Sequence, residues 1–182
     1  MTTNPRTYAI DRVLAQVASR SDALASLRRG VGRPLDEAPG SWPYVMEAAA
    51  GRSAWELPAH VTLGLFALHH QSQNPGSMNW TGSGLGAACG VLRQRRSSRG
   101  LSDEGVDRRV RAAFGADSLS ALAVHLRGLV TLLRGDAIGL DYSRLFWDLT
   151  AWDSPSARDR VALRWARDYF HTFTQAKEEP VR

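Results

Sequence analysis

The sequence predicts an all-α fold, a bundle of about seven to nine helices. Apolar residues recur three and four positions apart along most of the 182 residues, and no alternating apolar and polar run is long enough to propose a strand. The composition, with 43% hydrophobic and 23% charged residues, is that of a globular chain. We expect either two helical lobes, residues 1–100 and 101–182, or one compact domain.

Four helical segments are predicted in the N-terminal half, separated by two loops rich in Pro and Gly. Gly30 ends the first of them at the position that glycine favours after a helix. Gly86 and Gly90 lie one turn apart in the fourth segment, a spacing that lets a neighbouring helix approach closely. The four segments are expected at about 7–29 with a break near 19–22, at 42–50, at 58–71, and from Ser83 onward.

Four more helices are predicted in the C-terminal half. Gly135 is expected to end the second of them, and Ser154 with Pro155 marks the start of the last one, as N-cap and first helical residue. They are expected at about 102–114, 118–135, 141–152 and 155–174. The second of these four has an apolar stripe for the core, formed by Leu119, Leu122, Leu126, Leu129, Val130 and Leu133.

The chain is basic, and its positive charge is concentrated in the middle. The net charge is +5, from 22 arginines and one lysine against 18 acidic residues. Residues 93–134 alone have nine arginines and four acidic residues. A basic cluster favours a nucleic acid or an anionic membrane surface as partner, although a charge run is also typical of a solvated face.

The cysteine count and the N-terminus favour the cytoplasm. Cys89 is the only cysteine, which excludes an intramolecular disulfide and a multi-cysteine metal site. The N-terminus lacks a signal-peptide core, and no window approaches 18 uninterrupted apolar residues. The sequence therefore predicts no membrane span, and we expect no membrane among the partners of the chain.

No motif in the sequence predicts catalysis, a metal or a cofactor. The glycines from Gly82 to Gly90 lack the preceding strand and the Gly-Lys-Ser/Thr of phosphate-binding loops. His69 and His70 are adjacent, so on a helix they diverge by about 100° and cannot share a metal. Serine, histidine and aspartate occur without the local signature of a triad.

Asp141, Arg144 and Asp148 share one helical face, at i, i+3 and i+7. This spacing favours a salt-bridged surface or an interhelical clamp over acid–base chemistry. The tryptophans that lie at helical spacing beside leucines are expected to pack in the core. The others, which lie near loops, are candidates for partner contacts: Trp42, Trp55 and Trp80.

The last predicted helix has cations on one side and apolar residues on the other. Its apolar side consists of Val161, Trp165, Tyr169 and Phe173. The cations lie within about 60° of each other and form a rail about 16 Å long, made of Arg160, Arg164, Arg167 and His171. Such a rail indicates a polyanionic ligand.

Seven segments together resemble one known family. In chain order they are LRRG, LFALHHQSQ, SGLGAACG, DRRVRAAFGA, HLRGLVTLLR, LDYSRLFWDLTAW and RDRVALRWARDYF. Each alone is a common helical pattern, but the ordered set resembles the CasB-type small subunit of Cascade, the type I-E CRISPR surveillance complex. The resemblance covers about residues 25–172.

The resemblance implies a non-catalytic, all-α subunit without cofactor, present in two copies. Its partners would be a second copy of itself, the backbone and large subunits of a CRISPR RNA-containing complex, and the displaced non-target DNA strand. The arginines matched to the segments, and hence candidates for phosphate contacts, are Arg28, Arg29, Arg93, Arg108, Arg109, Arg127, Arg134, Arg160, Arg164 and Arg167. Because Arg108 and Arg109 diverge by about 100°, one of them is expected to face the core rim or a protein neighbour.

Two other classes remain open at this stage. A freestanding helical nucleic-acid-binding protein would need a recognition helix, but the segment after Gly135, from Asp141 to Leu149, is too apolar to read a groove. An enzyme would need a pocket with a perturbed acid or base, which sequence alone does not exclude.

Overall fold

Nine α-helices form the described part of the chain, which confirms the all-α prediction. The computed structural model describes residues 5–71 and 78–178, and side chains for residues 9–71 and 78–172. Within those residues no β-strand is present, and a single bridge joins Asn79 to Leu140. The helices are α1 (Pro5–Ala18), α2 (Ser21–Gly30), α3 (Trp42–Ala49), α4 (Glu56–His69), α5 (Leu85–Ser98), α6 (Glu104–Phe114), α7 (Leu119–Gly135), α8 (Tyr142–Thr150) and α9 (Pro155–Glu178).

The helix boundaries follow the local signals in the sequence. The predicted break near residue 20 separates α1 from α2. Gly135 is the last residue of α7, and α9 begins at Pro155, whose fixed φ suits the first helical position. Helix α7 begins after Ser118, whose side chain accepts a hydrogen bond from the Ala121 amide. The loop between α2 and α3 contains two short 3-10 turns.

One apolar cluster runs from Ile10 in α1 to Tyr169 in α9. It includes the whole predicted stripe of α7, from Leu119 to Leu133. Trp152 stacks on Trp165 with ring centroids 5.1 Å apart, which confirms the core role of these tryptophans. Helix α5 packs on α9, and α4 packs on α7 and α8, so contacts cross residue 100. The division into lobes at that residue stays a prediction.

Glycines allow α5 and α9 to touch backbone to backbone. A Cβ built on Gly86 would lie 2.1 Å from the Trp165 carbonyl oxygen, and one on Gly90 would lie 2.8 Å from that of Tyr169. The predicted close approach at these two positions is therefore confirmed. Cys89 lies between them and is fully buried, which raises the pKa of its thiol to about 12.

A polar clamp fixes α8 against α9, as the spacing of Asp141, Arg144 and Asp148 predicts. The Asp148 carboxylate accepts a hydrogen bond from Trp165 Nε1 at 2.7 Å and another from Arg164. Arg144 Nη2 donates to Asp168 Oδ2 at 3.3 Å. At the start of α8, Asp141 accepts hydrogen bonds from the Arg144 and Gly82 amides, at 2.8 and 2.7 Å. These carboxylates are consequently occupied by structural hydrogen bonds.

The paired histidines are buried at the end of α4. His69 Nδ1 is 2.8 Å from the Tyr142 hydroxyl, and burial lowers the pKa of His69 to about 4. His70 Nδ1 hydrogen-bonds the Phe66 carbonyl at 3.0 Å. Among the described residues, no three or more His, Cys, Asp or Glu lie together in a group that could hold a metal ion. None of the helices in this part of the chain has the length and apolarity needed to cross a membrane.

Candidate nucleic-acid interface

One side of α7 is exposed and has no acidic residue. Its exposed residues, spaced to share one helical face, are Ser120, Val124, Arg127 and Thr131. The 17 residues of α7 include no Asp or Glu. The opposite, leucine-rich side is buried in the core and thereby holds these residues toward solvent. We call this exposed side, together with Arg109 beside it, the α7 surface.

Arg127 lies next to the loop that follows α2. Its Nη1 is 3.2 Å from the position that a Cβ on Gly32 would occupy, and Gly32 itself has φ +77°. The last turn of α2, just before this loop, contains two predicted site residues. Arg28 is half-buried there, and Arg29 is exposed and donates to Ser26 Oγ at 3.0 Å. Gly32, two residues after the end of α2, is thus the point at which this loop meets Arg127.

Arg109 borders the α7 surface from α6. Its Nη1 donates to the Gly105 carbonyl at 3.0 Å, and its Cδ is 3.9 Å from the Cβ position of Gly128 on α7. Its neighbour Arg108 is also exposed. Of this adjacent pair, Arg109 is therefore the one whose side chain lies along α7. The residue remains exposed to solvent.

Arg134, at the other end of α7, forms hydrogen bonds within the chain. It is half-buried and donates to the Leu68 carbonyl at 3.3 Å and to Gln71 Oε1 at 2.9 Å. The carbonyls in the last turn of a helix have no partner within the helix, and Arg134 supplies one for α4.

Two of the ten predicted arginines are already paired with carboxylates. Arg93, whose side chain is 16% exposed, lies 3.2 Å from Asp103 and 3.1 Å from Asp107. Arg164 is bonded to the buried Asp148. Helical periodicity does not predict that each arginine meets its carboxylate in the folded chain. The charges of both arginines are largely compensated within the chain.

The cationic rail of α9 therefore lacks one of its four predicted members, Arg164. Arg160, Arg167 and His171 are exposed on one side of the helix, and Arg164 turns toward α8. Leu163 and Phe170 are exposed beside them, by 51% and 59%. The buried side consists of Val161, Trp165 and Tyr169 as predicted, whereas the side chain of Phe173 lies outside the described residues.

Arg33 is an exposed cation near Arg127 that sequence reasoning missed. Its backbone carbonyl hydrogen-bonds His60 Nε2 at 3.0 Å, which holds the loop after α2 against α4. No periodicity marks a residue in a loop rich in Pro and Gly, so only the tertiary structure reveals this neighbour.

Comparisons with known proteins agree on one family. The family model of CRISPR-associated protein Cse2 matches residues 23–170. A CRISPR-associated protein Cse2 from Thermus thermophilus is 29% identical over 161 residues, which cover 86% of this chain and 83% of that protein.

Two solved structures share the fold over nearly their whole length. CasB from Thermobifida fusca superposes with a TM-score of 0.74 at 28% identity, covering 92% of this chain and 99% of that one. A chain of a CRISPR RNA-guided surveillance complex superposes with a TM-score of 0.75 at 23% identity, covering 95% of this chain and 96% of that one.

Proposed function

The chain belongs to the CRISPR-associated Cse2 family, and on that premise we propose that it is the non-catalytic small subunit of a type I-E CRISPR surveillance ribonucleoprotein, Cascade. The similar fold of a chain in an RNA-guided surveillance complex supports this assignment. Its partners are the backbone and large subunits of a CRISPR RNA-containing particle and a second copy of itself. The particle works in the cytoplasm.

Within that particle the subunit helps to hold the displaced non-target DNA strand. The single observation that supports this role best is the α7 surface, where Arg109 and Arg127 are exposed and α7 has no carboxylate to compensate them. Phosphate contacts position a strand without reading its sequence. Because the displaced strand differs in sequence from one DNA target to the next, contacts of this kind suit it. Arginine suits this task because its planar fork matches phosphate oxygens.

The remaining predicted arginines divide according to their surroundings. The exposed ones supply further phosphate contacts from α2, α6 and α9; they are Arg29, Arg108, Arg160 and Arg167. The half-buried Arg28 has a lesser share. Arg93, Arg134 and Arg164 chiefly stabilise the fold, because each is bonded within the chain.

The salt dependence of strand capture tests this proposal. The complex is reconstituted with wild-type chain or with Arg109→Gln/Arg127→Gln, and binding of a target duplex with a displaced single strand is measured across a salt series. Log K falls as log salt rises, and each phosphate contact on a single strand makes this slope about 0.7 more negative, so two lost contacts reduce its magnitude by about 1.4. Particle mass and subunit copy number stay unchanged.

Two further variants make this test specific. Arg52→Gln removes an exposed arginine that lies over Trp55, in the segment between α3 and α4, and leaves the slope at its wild-type value. Arg160→Glu/Arg167→Glu tests the exposed arginines of α9 separately. An unchanged slope in the α7 variant contradicts strand holding by this surface, and a particle that no longer assembles assigns the arginines to a protein interface.

A further inference from the structure

An open apolar groove lies between α4, α7 and the loop after α2. Its volume is about 470 Å³. One wall is a stripe of α4, with Leu57, Val61 and Leu65 at i, i+4 and i+8, and the other is the edge of α7 at Ala123 and Val124. Both stripes have helical spacing, so the groove runs between two rigid elements.

The groove exposes apolar side chains to solvent. Val124 is 70% exposed and Leu57 is 38% exposed. Leu35 lines the groove on the loop side, and its carbonyl accepts a hydrogen bond from Trp42 Nε1 at 2.7 Å. Because Trp42 is itself 44% exposed, the apolar surface continues from the groove onto α3. Contiguous exposed apolar surface of this kind marks an interaction site.

The charged groups at the groove are both positive. Arg33 and Arg127 line it, and no Asp or Glu is among the residues of its walls. Asp36 and Glu37 follow Leu35 in the chain but lie outside the lining. An occupant with apolar side chains and a carboxylate therefore complements the groove in both respects.

The dimensions and exposure of the groove favour a helix. The α4 stripe from Leu57 to Leu65 spans eight residues, about 12 Å at 1.5 Å per residue, which matches about two turns of a partner helix. Small ligands usually have 70–90% of their surface buried by their pockets, whereas the exposed Leu57 and Val124 leave this groove open to solvent. Nucleic acid is disfavoured because the only aromatic ring in the lining, that of His60, is hydrogen-bonded to Ser41 and Arg33.

We propose that this groove docks a short amphipathic helix of another protein subunit in the assembly, with apolar anchors against Leu57 and Val61 and a carboxylate facing Arg33. The mode is that of a helix laid in a hydrophobic groove. The inference rests on the proposed function, because it requires a multisubunit particle. The groove and the α7 surface adjoin along α7, where Val124 and Arg127 border both, whereas Leu57 and Arg33 belong to the groove alone.

Site-specific photo-crosslinking tests the inference in the assembled particle. A photoreactive amino acid replaces Leu57 in one sample and the exposed Leu163 of α9 in another, and crosslinked peptides are identified by mass spectrometry after reconstitution with the guide RNA and the other subunits. Position 57 should crosslink to a segment of another subunit that contains apolar residues and an Asp or Glu. In parallel, Leu57→Gln and Arg33→Glu should each lower incorporation into the particle at least about tenfold, as loss of an interface anchor does.

The controls separate this inference from the function on which it rests. Leu163→Gln and Arg52→Glu change exposed residues outside the groove lining and should not affect incorporation. If the particle forms and position 57 crosslinks to nucleic acid, to a second copy of this chain or to nothing, the groove inference is overturned. Normal incorporation of both Leu57→Gln and Arg33→Glu also overturns it. If the wild-type chain enters no RNA-containing particle, the proposed function itself fails.

Discussion

Replacing Gly86 by alanine should separate the two helices that pack most closely in this fold. The added Cβ would lie 2.1 Å from the Trp165 carbonyl oxygen and 2.8 Å from its Cα, whereas ordinary contact begins at about 3.4 Å. The helices must therefore move apart by about 1.3 Å, or the Cβ must be accommodated by bending α9. Because the obstacle is backbone, no rotamer change can relieve it.

The expected loss of stability follows from two opposing effects. Overpacking costs about 1–3 kcal/mol, and a backbone obstacle places Gly86→Ala at the upper end, at about 3 kcal/mol. Alanine is the better helix former by about 1 kcal/mol, which leaves a net loss of about 2 kcal/mol. For a chain of this length each kcal/mol shifts Tm by about 2–4 °C, so Tm should fall by about 4–8 °C.

Thermal unfolding followed by circular dichroism measures this shift, with Gly135→Ala as the control. Gly135 is also helical, but nothing lies within 4 Å of its Cβ position. Its substitution should leave Tm unchanged or raise it slightly. A Gly86→Ala protein as stable as the control would refute the backbone contact between α5 and α9.

Three further predictions concern groups bonded inside the chain. The pKa of His69 is about 4 in the folded chain against 6.5 in the unfolded chain, so the folded state binds fewer protons between these values. The free energy of unfolding should therefore fall as the pH is lowered from about 6.5 toward 4, and His69→Gln should remove part of this dependence in denaturant titrations. Asp148→Ala leaves the buried Trp165 indole without its acceptor and should cost about 1–3 kcal/mol in urea unfolding, whereas Asp148→Asn retains an acceptor and should cost less. Arg93→Gln should lower Tm by several degrees, because Arg93 forms ion pairs with two carboxylates. For the same reason it should leave the salt slope of strand capture unchanged, and a slope of smaller magnitude would contradict that assignment.

Each of these three predictions has a control variant or an outcome that would contradict it. For His69→Gln, a pH dependence equal to that of the wild type would show that other groups dominate the acid range. For Asp148, equal losses in the alanine and asparagine variants would mean that the charge rather than the acceptor matters. The exposed Arg52→Gln serves as the arginine control for Arg93→Gln.

Local signals in the sequence predict the helices well because each depends on neighbours along the chain. The break before Ser21, the start at Pro155 and the end at Gly135 are all matters of capping and backbone freedom. The close approach at Gly86 and Gly90 is also predictable, because two glycines one turn apart leave a flat helix face. The same holds for the clamp of α8, whose residues share a face.

The candidate site is less predictable because charge pairing depends on tertiary contacts. Helical periodicity places Arg164 on the same side as Arg160, but it does not indicate that the buried Asp148 of α8 lies opposite. In the same way, Arg93 meets two carboxylates from the following segment only after α5 and α6 pack together. Arg33 has no periodic pattern at all. Sequence thus predicts which arginines are candidates, and structure distinguishes compensated charges from available ones.

The single cysteine makes the native chain its own reporter of helix separation. Cys89 faces the α5–α9 contact near Tyr169, and its high thiol pKa leaves almost no reactive thiolate in the closed state. The rate at which a thiol reagent modifies the unmutated protein therefore measures how often α9 lifts from α5. Incorporation into a particle that braces α9 would slow that rate. A cysteine introduced at any exposed position would also be the only fast-reacting thiol, so dyes and spin labels can be attached without first removing Cys89.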